Sequence, residues 1–185
     1  MGKFILITGG ARSGKSSLAE EKARGYGDNV LYIATAIGFD EEMKERIRRH
    51  RIKRPASWHT VEAYRDFGSI LPALIEGRDA VLLDCVTNMV SNIMLEKAMD
   101  WEELSMEEIN GVENEIERQM EFLLSVVRKS DVPFIFVTNE LGMGVVPASA
   151  LGRAVRDIAG RANQKLAGAA DEVYLCVSGI PVRIK

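Results

Sequence analysis

Apolar positions along the chain follow two alternating rhythms. Short, almost unbroken apolar runs read as strands buried on both faces: Phe4–Thr8, Val30–Ala34, Ala80–Asp84, Pro133–Thr138 and Glu172–Val177. Between them, apolar residues recur every three or four positions, the spacing of one helix face. These stretches are Lys15–Tyr26, Glu41–Arg51, Val86–Met99, roughly Met106–Arg128, and Ser149–Ala167. The alternation predicts one α/β domain over 1–185, a mostly parallel sheet with helices on both faces. A last short strand, Val182–Ile184, is expected to pair with its predecessor through Ser178-Gly179-Ile180-Pro181, giving a C-terminal β-hairpin. The long helix has the clearest start, because Ser105 and Glu108 can form a capping box. Ile109, Val112, Ile116, Met120, Leu123 and Val127 then mark a packing face. The acidic stretch Lys97–Gly111 carries no recognisable chemistry and reads as a surface excursion.

The turn after the first strand changes the picture. Gly9-Gly10-Ala11-Arg12-Ser13-Gly14-Lys15-Ser16 fits the phosphate-binding pattern G-x-x-x-x-G-K-[ST], with a strand before it and a helix after it. Glycines let backbone N–H groups turn inward around phosphate oxygens, and the helix N-terminus adds partial positive charge. Lys15 can neutralise the β- and γ-phosphates, and the Ser16 hydroxyl can ligate Mg²⁺. A nucleotide site of this type needs a carboxylate at a nearby strand end to hold the metal. Asp84, ending Ala80-Val81-Leu82-Leu83-Asp84, is the candidate, although aspartate there could simply cap the next helix. No N-K-x-D guanine-reading motif occurs.

Composition narrows the class. The chain has 185 residues, 46% hydrophobic and 28% charged, which suits a single globular domain. A net charge of −3 argues against a general nucleic-acid binder. The apolar part of the N-terminus is too short for a signal peptide and no run approaches transmembrane length, so a cytoplasmic protein is expected. Cys85 and Cys176 sit in apolar runs and read as buried, reduced thiols.

One segment departs from the acidic balance. Lys44 to Arg54 holds seven Lys or Arg in eleven positions, and Asp40 is a possible N-cap for its helix. Met43, Ile47 and His50 share one helical face. A histidine on such a stripe is more often a hydrogen-bonded core residue than a catalyst. Here the flanking arginines could hold phosphates while a neutral imidazole attacks phosphorus. His59 lacks that setting and reads as structural. Glu140, after an apolar strand, is expected at the ligand-binding edge of the sheet. Arg153, Arg156, Arg161 and Asn163 lie on the next helix, by default on a solvated face.

Together these residues resemble the bifunctional adenosylcobinamide kinase / adenosylcobinamide-phosphate guanylyltransferases of cobalamin biosynthesis. The similarity runs from ITGGARSGKS through LYIATA, DEEMKERIRRHRIKRPASWHTVE, LLDCVT and VTNELGMGVVP to LGRAVRDIAGRANQKLA. The resemblance implies a RecA-like P-loop domain, a corrinoid substrate, ATP and GTP as nucleotides, and a homotrimer. It implies a guanylyl-histidine at His50. It implies nucleotide contacts from Gly9, Gly10, Ala11, Arg12, Ser13, Gly14, Lys15 and Ser16. Further contacts would come from Ala34, Thr35, Ala36, Arg51, Ile52, Lys53, Arg54, Glu62 and Asp84. Two other readings compete: a P-loop small-molecule kinase in which His50 is idle, and a nucleotide-sensing regulatory module that binds without transferring.

Overall fold

The computed structural model describes residues 2–97 and 99–185. The elements run β1 (Phe4–Gly9), α1 (Lys15–Arg24), β2 (Val30–Ala34), α2 (Glu41–Lys53), β3 (His59–Glu62), α3 (Phe67–Leu74) and β4 (Ala80–Asp84). They continue with α4 (Val86–Leu95), α5 (Met106–Lys129), β5 (Phe134–Val137), α6 (Ala150–Ala169), β6 (Glu172–Val177) and β7 (Ile180–Arg183). One seven-stranded sheet has the order β3-β2-β4-β5-β1-β6-β7. β1 to β6 are mutually parallel, and β7 closes the edge antiparallel to β6. The expected P-loop α/β architecture is therefore the observed one.

Alternation along the strands feeds two cores. Phe4, Leu6, Leu31, Ile33, Val81, Leu83, Phe134 and Phe136 face the layer containing α3 to α6. Ile5, Ile7, Val30, Tyr32, Leu82, Ile135 and Val137 face α1 through Ala19 and Ala23. Central strands covered on both faces explain why their sequences are continuously apolar rather than alternating.

Several boundaries differ from expectation. The hairpin turn is the two residues Ser178-Gly179, with φ of 52° and 84°, so the last strand starts at Ile180 rather than Val182. Two successive left-handed residues match the twist of a tight hairpin. β3 and α3 were not anticipated. β3 is a four-residue edge strand with no fully buried position, and α3 contains Pro72. Neither therefore carries a strong periodic signal. α4 stops at Leu95, short of Met99. The stretch 97–111 is more than a surface excursion: Trp101 is buried in the core, and a Glu102 carboxylate oxygen accepts from the Ala150 N–H at 2.7 Å, at the start of α6. The capping box at Ser105 and Glu108 forms as expected.

Candidate active site at the carboxyl edge of the sheet

Because the strands are parallel, their carboxyl ends share one edge. Ala34 is level with both Glu62 and Asp84, and Asp84 is level with Val137. Asp84 is thus two strands away from the Gly9 end of β1, with β5 between them.

The phosphate cradle is set by backbone. Gly9 has φ 148°, and a Cβ there would stand 2.4 Å from the Cys176 carbonyl oxygen. Gly14 has φ 94° and directly precedes α1, and a Cβ there would press on Gly179 at 3.1 Å. The Gly179 N–H donates to the Ser13 carbonyl at 3.0 Å, so the C-terminal hairpin braces the loop. Lys15 is buried and its Nζ lies 2.6 Å from the Gly10 carbonyl oxygen, across the mouth of the loop. Gly10, Ala11 and Arg12 are exposed, Arg12 with φ 54°. The Thr8 and Ser13 hydroxyls are buried without a hydrogen-bond partner. Orphaned donors beside a helix N-terminus suit an anionic oxygen.

The candidate metal donors, Ser16 and Asp84, are of a kind that suits a hard cation bound mainly through nucleotide. Ser16 sits in the first turn of α1, and Asp84 presents a carboxylate at the end of β4. Among the described residues, no group of three or more His, Cys, Asp or Glu could hold a metal by itself. Few protein ligands, all oxygen, is the pattern for Mg²⁺ that keeps water and phosphate in its shell.

Asp84 is held in place by neighbours the sequence did not reveal. The Tyr32 hydroxyl donates to Asp84 Oδ2 at 2.9 Å. Burial, and then the nearby Asp84 charge, push the Tyr32 phenol well above its ordinary pKa, so it stays a donor. Thr35 clips the next peptide: its hydroxyl donates to the Cys85 carbonyl and accepts from the Cys85 N–H, both at 2.7 Å. The Thr35 N–H donates to the Asp84 carbonyl at 3.1 Å, and its own carbonyl accepts from Asn92 Nδ2 at 2.6 Å. Thr35 therefore spends its polar groups on tying the end of β2 to the end of β4 and to α4. Cys85 and Cys176 are buried free thiols, as expected. Burial pushes Cys85 up to about 12 and also raises Cys176.

α2 forms the second part of the site. Asp40 caps it, accepting from the Met43 N–H at 2.7 Å. Met43, Ile47 and His50 are half-buried while Arg48, Arg49 and Arg51 are exposed, as the stripe predicted. A cleft of about 380 Å³ lies between this helix and the strand ends, lined by Ala34, Thr35, Ala36, Lys44, Ile47, Arg51 and Glu62 among others. It gathers five of the expected nucleotide contacts. A larger cavity between α3 and α5 is lined by none of them. Arg51 pairs with Glu62 across the cleft, both more than half exposed, and Arg49 pairs with Glu45. Ile52 is exposed; the Lys53 side chain lies outside the described residues.

Arg54 turns inward, its guanidinium 3.6 Å from the Tyr32 ring centroid. Half-buried Glu20 on α1 was also missed. Burial raises its carboxyl pKa, opposed by the charges of Arg24, His50 and Arg54 and reinforced by Asp84. His50, Arg54 and Asp84 thus lie within electrostatic reach of one α1 side chain. His59 is exposed on β3.

The loop after β5 reaches the cradle, since the Glu140 N–H donates to the Gly9 carbonyl at 3.0 Å. Asn163 is structural: Thr138 Oγ1 donates to its side chain at 2.7 Å, and its Nδ2 donates to the Asn139 carbonyl. The α6 arginines are engaged within the fold, Arg161 with Glu113, Arg156 with Asp157, and Arg153 with the carbonyls of Pro147 and Ala148.

A phosphate cradle and a histidine-bearing basic helix share this chain, and its similarity to known proteins places both in one family. The model of the cobinamide kinase / cobinamide phosphate guanyltransferase family matches residues 5–184. The chain belongs to that family. It is 44% identical to the bifunctional adenosylcobalamin biosynthesis protein CobU of Salmonella typhimurium and 45% identical to that of Escherichia coli. Each alignment covers 98% of this chain and 99% of the relative. Identity to the bifunctional protein CobP of Pseudomonas aeruginosa is 37%, over 97% of this chain and 96% of that one. Among solved structures, the RadB recombinase aligns over 94% of this chain and 73% of its own, with TM-score 0.49 and 18% identity. No helix among the described residues is long and apolar enough to cross a membrane.

Proposed function

We propose that this protein carries out two successive reactions on a corrinoid. It phosphorylates the aminopropanol hydroxyl of adenosylcobinamide with ATP or GTP. It then transfers GMP from GTP onto that phosphate through His50, giving adenosylcobinamide-GDP. The observation that carries the reading is the coexistence, on one sheet edge of a member of this family, of a complete phosphate cradle and a half-buried histidine flanked by arginines.

In the first step the acceptor hydroxyl oxygen bonds to the γ-phosphorus as the bond to the β-phosphate bridging oxygen breaks. Lys15 and the backbone amides of the cradle stabilise charge building on the transferred group and the leaving nucleoside diphosphate. Mg²⁺, when bound, supplies further charge neutralisation; Ser16 and Asp84 are the residues that would hold it. In the second step an imidazole nitrogen of His50 bonds to the α-phosphorus of GTP and pyrophosphate leaves. The corrinoid phosphate oxygen then displaces the imidazole from the same phosphorus. Splitting the transfer lets basic side chains at 51–54 neutralise the triphosphate before an anionic acceptor approaches. Arg51 is available once nucleotide replaces its Glu62 partner, because an exposed ion pair holds it only weakly. The protein acts as a cytoplasmic homo-oligomer, a trimer by analogy with the family, and needs no nucleic acid.

The test is incubation of purified protein with α-labelled GTP. The expected result is a covalent label, acid-labile and alkali-stable as a phosphoramidate is. Absence of label alongside intact corrinoid phosphorylation would leave a plain kinase.

A further inference from the structure

A single buried side chain lies between the two parts of the site. Tyr32 is central on β2, 2% exposed, with its side chain on the α1 face of the sheet. Its hydroxyl donates to one oxygen of Asp84, and its ring seats the guanidinium of Arg54, the residue that ends α2. Trp58 closes in at 6.2 Å between ring centroids. The Nε of Arg54 is buried without a hydrogen-bond partner, Nη1 makes a 3.5 Å approach to the Thr60 hydroxyl, and the guanidinium also interacts with the Tyr32 hydroxyl and the Glu20 carboxylate. The aromatic face is one seat of this cation. On the other side, a phenol has one hydrogen to give. Committing it to Oδ2 fixes the carboxylate plane and leaves Oδ1 for a metal or its water.

We infer that Tyr32 is a positioning residue for both nucleotide steps: its hydroxyl orients Asp84 for the metal-bound triphosphate, and its ring fixes Arg54 at the end of the His50 helix. The first half rests on the reading of Asp84 as the magnesium carboxylate.

The two halves separate by substitution. Tyr32→Phe keeps the ring and removes the hydroxyl; Tyr32→Leu removes both. Equilibrium binding of a fluorescent, non-hydrolysable GTP analogue is measured with saturating Mg²⁺ and in EDTA, alongside the melting temperature. In Tyr32→Phe the gain in affinity that Mg²⁺ confers is expected to shrink by about tenfold or more, the scale of one hydrogen bond to a charged group. Its affinity in EDTA is expected to fall less than that of Tyr32→Leu, which loses the ring as well. In Tyr32→Leu, wherever its melting curve shows it folded, affinity in EDTA should fall as well, because Arg54 loses its seat.

Asp84→Asn run in the same assay separates the two ideas. If Asp84→Asn loses the Mg²⁺ gain while Tyr32→Phe keeps it within twofold, the role of Tyr32 is overturned and the metal reading stands. If Asp84→Asn itself keeps the gain, the metal reading fails and this inference fails with it.

Discussion

The phosphate cradle and the histidine helix are built in opposite ways. The cradle grows out of β1, where every residue is buried, and is shaped by positive-φ glycines pressed against the backbone of β6 and the hairpin. Described α2 side chains are exposed or at most half-buried, and three of the helix's arginines face solvent beside carboxylates. Fixed main-chain donors suit a step whose catalysis is almost entirely positioning. A nucleophile that must accept and then release a nucleotidyl group belongs where both partners can reach it. The difference teaches that the cradle is shaped by backbone packing, whereas α2, under the proposed function, would act through its side chains.

The largest effect should come from the cradle. Lys15→Ala is expected to lower phosphoryl transfer by about 10²–10³-fold, the cost of removing one preorganised charge-stabilising group. Steady-state corrinoid phosphorylation measures it. Near-normal turnover in the folded variant would remove Lys15 from the mechanism.

Next comes the backbone itself. Gly14→Ala forces a left-handed conformation on a side chain whose Cβ would crowd Gly179. A loss of about 1–3 kcal/mol in thermal or denaturant unfolding is expected, with weakened triphosphate binding. An unchanged midpoint would show the loop to be softer than the comparison requires.

A smaller effect tests the far end of the same elements. Glu172, at the start of β6, joins Lys3 before β1, Lys22 on α1 and Arg183 on β7. Its hydrogen bond to Lys3 dominates in holding the carboxyl below its ordinary value of 4.5. A lowered folded pKa means the stabilisation is present above about pH 4.5 and is lost as pH falls through the folded value. Glu172→Gln should therefore be less stable than the parent at pH 7, by about 1 kcal/mol, with the gap closing toward pH 3. A gap that widens on acidification would contradict the assignment. By contrast, Glu62→Gln, which removes the exposed partner of Arg51, should shift the unfolding midpoint by less than about 0.5 kcal/mol. A large loss there would mean that α2 is anchored more firmly than its exposure indicates.

Features that depend on neighbours in sequence were legible before the fold was known. The cradle, the strand ending at Asp84, the capping box at Ser105 and Glu108, and the stripe through Met43, Ile47 and His50 are all local patterns. What escaped depends on contacts across the sheet. Tyr32 reads as one more apolar strand residue until its hydroxyl is seen to reach Asp84 on the adjacent strand. Glu20 carries no local signal; only the fold brings its half-buried carboxyl within electrostatic reach of His50, Arg54 and Asp84. Asn163 read as a surface polar residue because its partners, Thr138 and Asn139, come from β5 and the loop after it.

The central claim is that one chain holds two separable chemistries, and His50→Ala tests it most directly. The variant and the parent are incubated in parallel with α-labelled GTP and, separately, with γ-labelled ATP and adenosylcobinamide. The account predicts that His50→Ala forms no covalent guanylyl adduct while still phosphorylating the corrinoid, since the cradle residues are untouched. Arginine, permanently protonated, cannot replace the missing imidazole. Undiminished labelling of His50→Ala would contradict the account and place the nucleophile elsewhere.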